Sequence, residues 1–144
     1  MTGLAAAARK HLGARYVARG YQPGLGLCCY GLVRAACAEL GHELPDWKVA
    51  RRLLRLSQEE IEERLPLRLV PGIRENAIAL MSNGGGPPNS RALHLAIVGR
   101  RRQRLTMIHT SSHLGRVVEE PLLATAYQSS TTFWTLSASW ASCS

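Results

Sequence analysis

Apolar residues recur at helical spacing through the first half of the chain. The clearest pattern predicts a helix over residues 29–40, with an apolar face formed by Leu32, Val33, Ala36, Cys37 and Leu40. Similar patterns predict a helix over residues 2–12 and helical structure over residues 47–65 in two pieces. Ser57 and Glu60 have the spacing of a capping box, which would begin the second of these pieces.

The pattern changes after Pro66. Short runs of β-branched and aliphatic residues, separated by turn-forming residues, predict strands over residues 77–81, 92–98, 104–109, 116–119 and 131–136. The run SNGGGPPNS at 82–90 is expected to be a flexible connection, and GRRRQR at 99–104 a hairpin tip. Helices followed by an antiparallel meander indicate an α+β fold, and we expect residues 1–144 to form a single domain.

Composition and charge narrow the choice of partners. The 144 residues are 46% hydrophobic and 19% charged, as in an ordinary globular protein, and no apolar run is long enough to insert into a membrane. Basic residues follow the small apolar ones at the amino terminus, so we expect no signal peptide. The net charge of +8 favours an anionic partner such as nucleic acid, a membrane surface or a cell-wall polymer.

Two adjacent cysteines mark the start of the helix predicted over residues 29–40. They follow residues 14–27, which are rich in glycine and proline and are predicted to form a loop. A thiolate at a helix amino terminus is stabilised by the helix dipole, which would lower the pKa of Cys29 and make it a nucleophile. The alternative is a structural cysteine that packs as a small apolar residue, and the position alone does not decide between the two. Cys28 would point elsewhere, Cys37 would belong to the core and Cys143 lies in the tail. No spacing suggests a disulfide framework, and we expect free thiols.

Two histidines could supply a base for this thiol. His94 interrupts the apolar strand 92–98, and His109 ends the following strand 104–109. If the two strands form a hairpin, the imidazoles become neighbours, so that one takes the thiol proton while the other orients it. Zinc is an alternative for a set of cysteine and histidine residues, but the CxxC and HxxxH spacings typical of zinc sites are absent.

The order of several motifs resembles the NlpC-type cell-wall cysteine peptidases. The motifs are LGARY, GLCCYGLV, LPDW, PGIRENAIALM, HLAIVG and MIHTSSHLGRVVEEPL, and together they span roughly residues 5–125. The resemblance implies a papain-like α+β fold in which helices pack on an antiparallel sheet. It also implies that Cys29 is the nucleophile, His94 the base and His109 the polar residue that orients the base. It implies no cofactor and no metal.

The same resemblance assigns residues to the cleft. Tyr16, in GARY, matches a tyrosine that lines the cleft in similar proteins. Cys28 stands where the family usually has aspartate, and Tyr30 where it commonly has a small residue. Cys28 and Tyr30 are assigned to the cleft together with Tyr16.

The resemblance is nearest to short proteins of phage tails and gene-transfer particles. It implies a peptidoglycan endopeptidase that is made in the host cytoplasm, located in the virion tail or tail tip, and in contact with other tail proteins. An alternative is a structural tail component with little activity, for which the apolar segment containing Trp134 and Trp140 would supply an interface. A third alternative is nucleic-acid binding, suggested by Arg100, Arg101, Arg102 and Arg104. No nucleic-acid-binding motif accompanies these arginines, and we expect no nucleic-acid partner.

Overall fold

The computed structural model describes residues 3–22, 24, 26–82, 93–111, 113–122 and 131–137. Four helices occupy its first half: α1 (Leu4–Arg9), α2 (Cys29–Glu39), α3 (Trp47–Leu53) and α4 (Gln58–Arg64). All three predicted helical regions are confirmed, including the division of residues 47–65, although α1 is shorter than expected. No helix within the described residues is long and apolar enough to cross a membrane. Trp140, Cys143 and most of the connection at 82–90 lie outside the described residues.

The helices α3 and α4 begin at side-chain caps. The Asp46 side chain accepts a hydrogen bond from the backbone N–H of Val49 at 3.3 Å. Ser57 accepts from the N–H of Glu60 at 3.3 Å, and its hydroxyl donates to the Glu60 carboxylate at 3.0 Å. The pairing of Ser57 with Glu60 predicted from the sequence is therefore confirmed. It satisfies an N–H group that would otherwise lack a partner in the first turn of α4.

The strands form two sheets. The segment predicted as a loop before α2 contains a two-stranded ladder of β1 (Tyr21–Gln22) and β2 (Gly26–Leu27). The larger, six-stranded antiparallel sheet consists of β3 (Leu67–Val70), β4 (Ile78–Ser82), β5 (Leu93–Arg101), β6 (Arg104–Ser111), β7 (Arg116–Pro121) and β8 (Thr131–Leu136). The helices followed by an antiparallel sheet confirm the predicted α+β class.

The strand order corrects the expectation of a simple meander. The order is β3-β8-β4-β5-β6-β7, so only β4 to β7 are joined as consecutive neighbours. The last strand, β8, lies between β3 and β4 and pairs with both. Strand β3 was not predicted from the sequence, because it is short and its partner β8 lies far along the chain.

The two faces of the sheet differ in the size of their residues, as strand alternation requires. One face packs against the helices through a large core that includes Leu32, Val33, Leu80, Leu95, Ile97, Ile108 and Trp134. The alternate residues form a second cluster of Ala77, Ala79, Met81, Ala96, Val98 and Met107. Burial of the bulky face against α1 and α2 fixes the position of α2 over β5 and β6.

A tight hairpin joins β5 to β6. Arg102 and Gln103 have φ of 50° and 67°, as the two central residues of a type I′ turn do, so the tip is narrower than the predicted segment 99–104. The register pairs Ile97 with Ile108. This pairing places His94 one diagonal step from His109 across the two strands, close enough for the side chains to meet.

Candidate active site

Cys28 holds the start of α2 in place. It is the N-cap residue of α2, and its sulfur accepts a hydrogen bond from the N–H of Gly31 at 3.3 Å. Its carbonyl accepts from the hydroxyl of Thr110 on β6 at 3.3 Å. Its own N–H donates to the carbonyl of Gly20 at 3.0 Å. The first bond caps α2, and the other two attach its first turn to β6 and to the preceding loop. Together they fix Cys29, the first residue of the helix.

The glycines before α2 permit close packing of the loop beneath Cys28. A Cβ atom on Gly20 would lie 2.5 Å from the carbonyl oxygen of Gly26. Gly26 has φ of 138°, and a Cβ atom on it would lie 2.2 Å from the Val17 side chain. Any side chain at these positions would force the loop apart. The loop is thus a close-packed support for the start of α2.

Cys29 is half-buried at the start of α2, and its sulfur lies against β5. Burial raises the pKa of the Cys29 thiol. Hydrogen bonds with the backbone of Leu95 and of Tyr30 oppose this change but do not reverse it. The sequence-based expectation of a lowered pKa is therefore wrong for this conformation. It considered the helix terminus but not the loss of water caused by the packing of β5. The contact with Leu95 brings the sulfur to the residue that follows His94.

His94 and His109 form a hydrogen-bonded pair. His94 Nε2 lies 2.9 Å from His109 Nδ1, and the two rings meet edge to face with their centroids 5.0 Å apart. His109 is buried and His94 is half-buried. Burial, together with the nearby His109, lowers the pKa of His94 to about 4. His94 is therefore a neutral imidazole at neutral pH, the form that can accept a proton.

Glu120 extends this pair to a third strand. Its Oε2 lies 3.1 Å from Nε2 of His109. Glu120 was not among the site residues predicted from the sequence. The register of β6 with β7 is what places Glu120 near His109. Val118 pairs with His109, and Glu120 follows Val118 by two residues on the same face of the sheet. The position of Glu120 could not be recognised before that register was known.

The structure separates the residues that the sequence assigned to the cleft. Tyr30 is only 3% exposed; its ring packs against Trp47, with centroids 5.2 Å apart, and its hydroxyl donates to the carbonyl of Pro45. Tyr30 therefore belongs to the core, and its assignment to the cleft is wrong. Tyr16 is half-buried, and its backbone forms a bridge with Leu27, next to Cys28. Its role in the cleft stays a prediction.

The described residues include no group of three or more His, Cys, Asp and Glu side chains arranged to hold a metal ion. Cys28, Cys29 and Cys37 are free thiols. Cys37 is buried, which raises its pKa to about 12 and makes it an unreactive core residue at neutral pH.

The lowered pKa of His94 predicts how stability changes with pH. The unfolded chain binds a proton at His94 near pH 6.5, whereas the folded chain does so only near pH 4, so protonation favours unfolding. Between these values His94 should reduce the free energy of unfolding by up to about 3 kcal/mol as the pH falls. Chemical denaturation of the wild type and His94→Gln at several pH values measures this change. The difference between the two proteins removes contributions shared with other titrating groups, and equal pH slopes would contradict the prediction.

Comparison with known proteins gives a result only at the level of structure. No family model matches the chain, and no curated protein sequence matches it. Three solved structures illustrate the likeness. The NlpC/p60 domain of the peptidoglycan hydrolase SagA is 19% identical with a TM-score of 0.57, covering 92% of this chain and 95% of that one. The P60 domain of an antigen from Mycobacterium avium subspecies paratuberculosis is 19% identical with a TM-score of 0.55, covering 92% and 90%.

The third structure is the peptidoglycan hydrolase RipB from Mycobacterium tuberculosis. It is 20% identical with a TM-score of 0.55, and the match covers 90% of this chain and 61% of RipB. The shared architecture therefore extends over nearly all of the present chain. At these identities the likeness establishes the fold: helices packed on an antiparallel sheet, as in NlpC/p60 domains.

Proposed function

We propose that this protein is a cysteine peptidase that hydrolyses amide bonds in the peptide stems of peptidoglycan. The fold supports the proposal, because structures with the same fold include peptidoglycan hydrolases. The observation that carries it is the arrangement within that fold. The sulfur of Cys29, at the start of α2, contacts the backbone next to His94, whose ring is bonded to His109. This is the combination of nucleophile, base and orienting group that acyl transfer requires.

In this proposal the resting site holds a neutral thiol and a neutral imidazole. Burial raises the pKa of Cys29 and lowers that of His94, so both effects disfavour a thiolate–imidazolium ion pair before substrate binds. His94 takes the thiol proton as the Cys29 sulfur attacks the carbonyl carbon of the substrate. The backbone N–H of Cys29 donates to the oxyanion that forms.

The remaining steps restore the enzyme. As the carbon–nitrogen bond breaks, His94 gives its proton to the departing amine and leaves a thioester on Cys29. A water molecule then attacks the thioester carbonyl and loses a proton to His94. Cleavage of the carbon–sulfur bond releases the carboxylic acid, and the proton returns to the Cys29 sulfur. His109 holds the His94 ring through both steps. No cofactor takes part.

We further propose that the protein acts as a component of a phage tail or gene-transfer particle. The proposal rests on the resemblance of its motifs to short members found in such tails, and the net charge of +8 suits a protein that approaches an anionic cell wall. Its partners would be peptidoglycan and neighbouring tail proteins. Detection of the chain by mass spectrometry in purified particles would support this location, and its absence from them would contradict it.

A structural tail component that keeps the fold is a second candidate. The observation in its favour is the raised pKa of the Cys29 thiol, which makes the free sulfur less reactive at neutral pH. Under this alternative, the pairing of His94 with His109 would only satisfy polar groups inside the sheet. Measurement of peptidoglycan cleavage decides between the two candidates.

Digestion of purified peptidoglycan tests the proposed function. The full chain is expected to release soluble fragments whose masses correspond to cleaved peptide stems, with new amino and carboxyl termini. Protein treated with iodoacetamide at alkaline pH, where the Cys29 thiol ionises, should release none, because the nucleophile is alkylated. Mass spectrometry identifies both the products and the modified cysteine. If untreated protein releases no more fragments than heat-denatured protein, the structural candidate is favoured.

A further inference from the structure

Three side chains from three neighbouring strands form a continuous chain of hydrogen bonds. Glu120 on β7 contacts Nε2 of His109 at 3.1 Å, and Nδ1 of the same ring contacts Nε2 of His94 at 2.9 Å. Both nitrogens of His109 are therefore occupied by partners of different chemistry, one a carboxylate and the other an imidazole. The inference drawn from this chain rests on the proposed function, because it concerns how His94 becomes a base for Cys29.

The chemistry of the partners decides where the protons lie. A carboxylate only accepts hydrogen bonds, so Nε2 of His109 must carry the hydrogen that faces Glu120. A neutral imidazole has one N–H group and one lone pair, so Nδ1 of His109 then accepts from Nε2 of His94. His94, whose own Nε2 carries this hydrogen, has its lone pair on Nδ1. The reverse assignment would direct the lone pair of His109 Nε2 at the negatively charged Glu120 oxygen.

We propose that Glu120 is a positioning residue that sets the tautomers of both histidines and so leaves Nδ1 of His94 as the base. Glu120 does not touch the substrate in this scheme. It acts through His109: the hydrogen bond to Glu120 fixes the tautomer of His109, and the tautomer of His109 fixes that of His94. Without the carboxylate, the two rings can exchange donor and acceptor roles, and in the reversed arrangement Nδ1 of His94 carries a hydrogen and cannot take the thiol proton.

The adjacent glutamate has a different environment. Glu119 accepts hydrogen bonds from Arg9 at 2.9 Å, from Arg101 at 2.7 Å and from Thr106 at 2.6 Å. These bonds, led by that to Arg9, outweigh burial and lower the pKa of Glu119 to about 2. Glu119 thus links α1 to the β5–β6 hairpin, while Glu120 faces His109. Alternation along β7 separates the two carboxylates onto opposite faces.

The exposure of Glu120 limits the size of its effect. Its side chain is 42% exposed, compared with 10% for His109, so water can partly replace the carboxylate when Glu120 is removed. We expect Glu120→Ala to reduce kcat by about tenfold, the lower end of the loss seen when the hydrogen-bond partner behind a metal-ligating histidine is removed, with KM unchanged. Glu120→Gln should give a smaller loss, because an amide can accept the same hydrogen bond but does not impose it.

Nitrogen NMR of the imidazole rings tests the proposal directly. At neutral pH the wild type should show His109 and His94 both as Nε2–H tautomers, and Glu120→Ala should show a mixture for both rings. The matched control is Glu63→Gln, which removes one negative charge at an exposed position of α4 and should change neither the tautomers nor kcat. Thermal unfolding of each variant checks that the fold is retained.

The outcomes separate this proposal from the proposed function. An Nδ1–H tautomer at His109 in the wild type, or unchanged tautomers in Glu120→Ala, would overturn the role of Glu120 even if the protein cleaves peptidoglycan. A folded wild type that shows the expected tautomers but cleaves no peptidoglycan would contradict the proposed function and leave the positioning role supported. The NMR measurement requires no turnover, so it tests the positioning role of Glu120 independently of peptidoglycan cleavage.

Discussion

Cys29→Ser is expected to release peptide fragments from peptidoglycan at least about a thousandfold more slowly than the wild type. The substitution exchanges only sulfur for oxygen at the first residue of α2 and leaves the backbone N–H in place. A serine hydroxyl is far less acidic than a thiol, and the half-buried imidazole of His94, with a pKa of about 4, is too weak a base to activate it. The rate of fragment release, followed by mass spectrometry, measures the effect.

Cys28→Ser is the matched control, because it makes the same atomic change one residue earlier. Cys28 serves as the N-cap of α2 through its sulfur, and serine is a favoured residue at that position. We therefore expect this variant to keep its fold and most of its activity. Loss of activity in Cys28→Ser with retention in Cys29→Ser would show that the nucleophile had been assigned to the wrong cysteine. Retention in both would exclude covalent catalysis by either one.

The second large effect is expected at His94. His94→Gln should reduce kcat by between about a hundredfold and ten thousandfold, the usual contribution of a general base, while KM changes little. Glutamine can fill the space and hydrogen-bond to His109, but it cannot carry the proton between the thiol and the leaving amine. Kinetics with a soluble stem-peptide fragment measure kcat and KM separately.

His42→Gln supplies the comparison for His94. His42 lies beyond the carboxyl-terminal end of α2, whereas Cys29 begins that helix, so the two residues are separated by its length. The control variant should match the wild type in both constants. If His94→Gln kept more than about a tenth of the wild-type kcat, general-base catalysis by His94 would be excluded.

The helices and most strands could be predicted because their signals are local. The apolar period of α2, the capping box at Ser57 and the alternating residues of β5 each lie within one short segment. The strand β3 has only four residues, and its partner β8 follows more than 60 positions later, so nothing local identified either the strand or its place in the sheet. Insertion of β8 beside β3 depends on contacts that span the chain.

The site shows the same division. Proximity of His94 to His109 follows from a hairpin whose turn and strands are local, and it was predicted. The upward shift of the Cys29 pKa was not predicted, because the burial that causes it comes from β5, which is distant in sequence. The burial of Tyr30 could have been predicted, since Tyr30 shares the apolar face of α2 with Val33 and Cys37. It was assigned to the cleft instead because it is adjacent to Cys29 in the sequence. Glu120 could be found only from the register of β7.

The position of β8 between β3 and β4 has a consequence for folding during synthesis on the ribosome. Residues 131–136 emerge after the other strands of the described sheet, yet they complete the hydrogen bonding of both β3 and β4 and bring the buried Trp134 into the core. Until these residues are made, β3 and β4 each have an unpaired edge where β8 later binds. Unpaired strand edges bind other extended chains readily, so we expect synthesis of β8 to lower the tendency of newly made copies to aggregate.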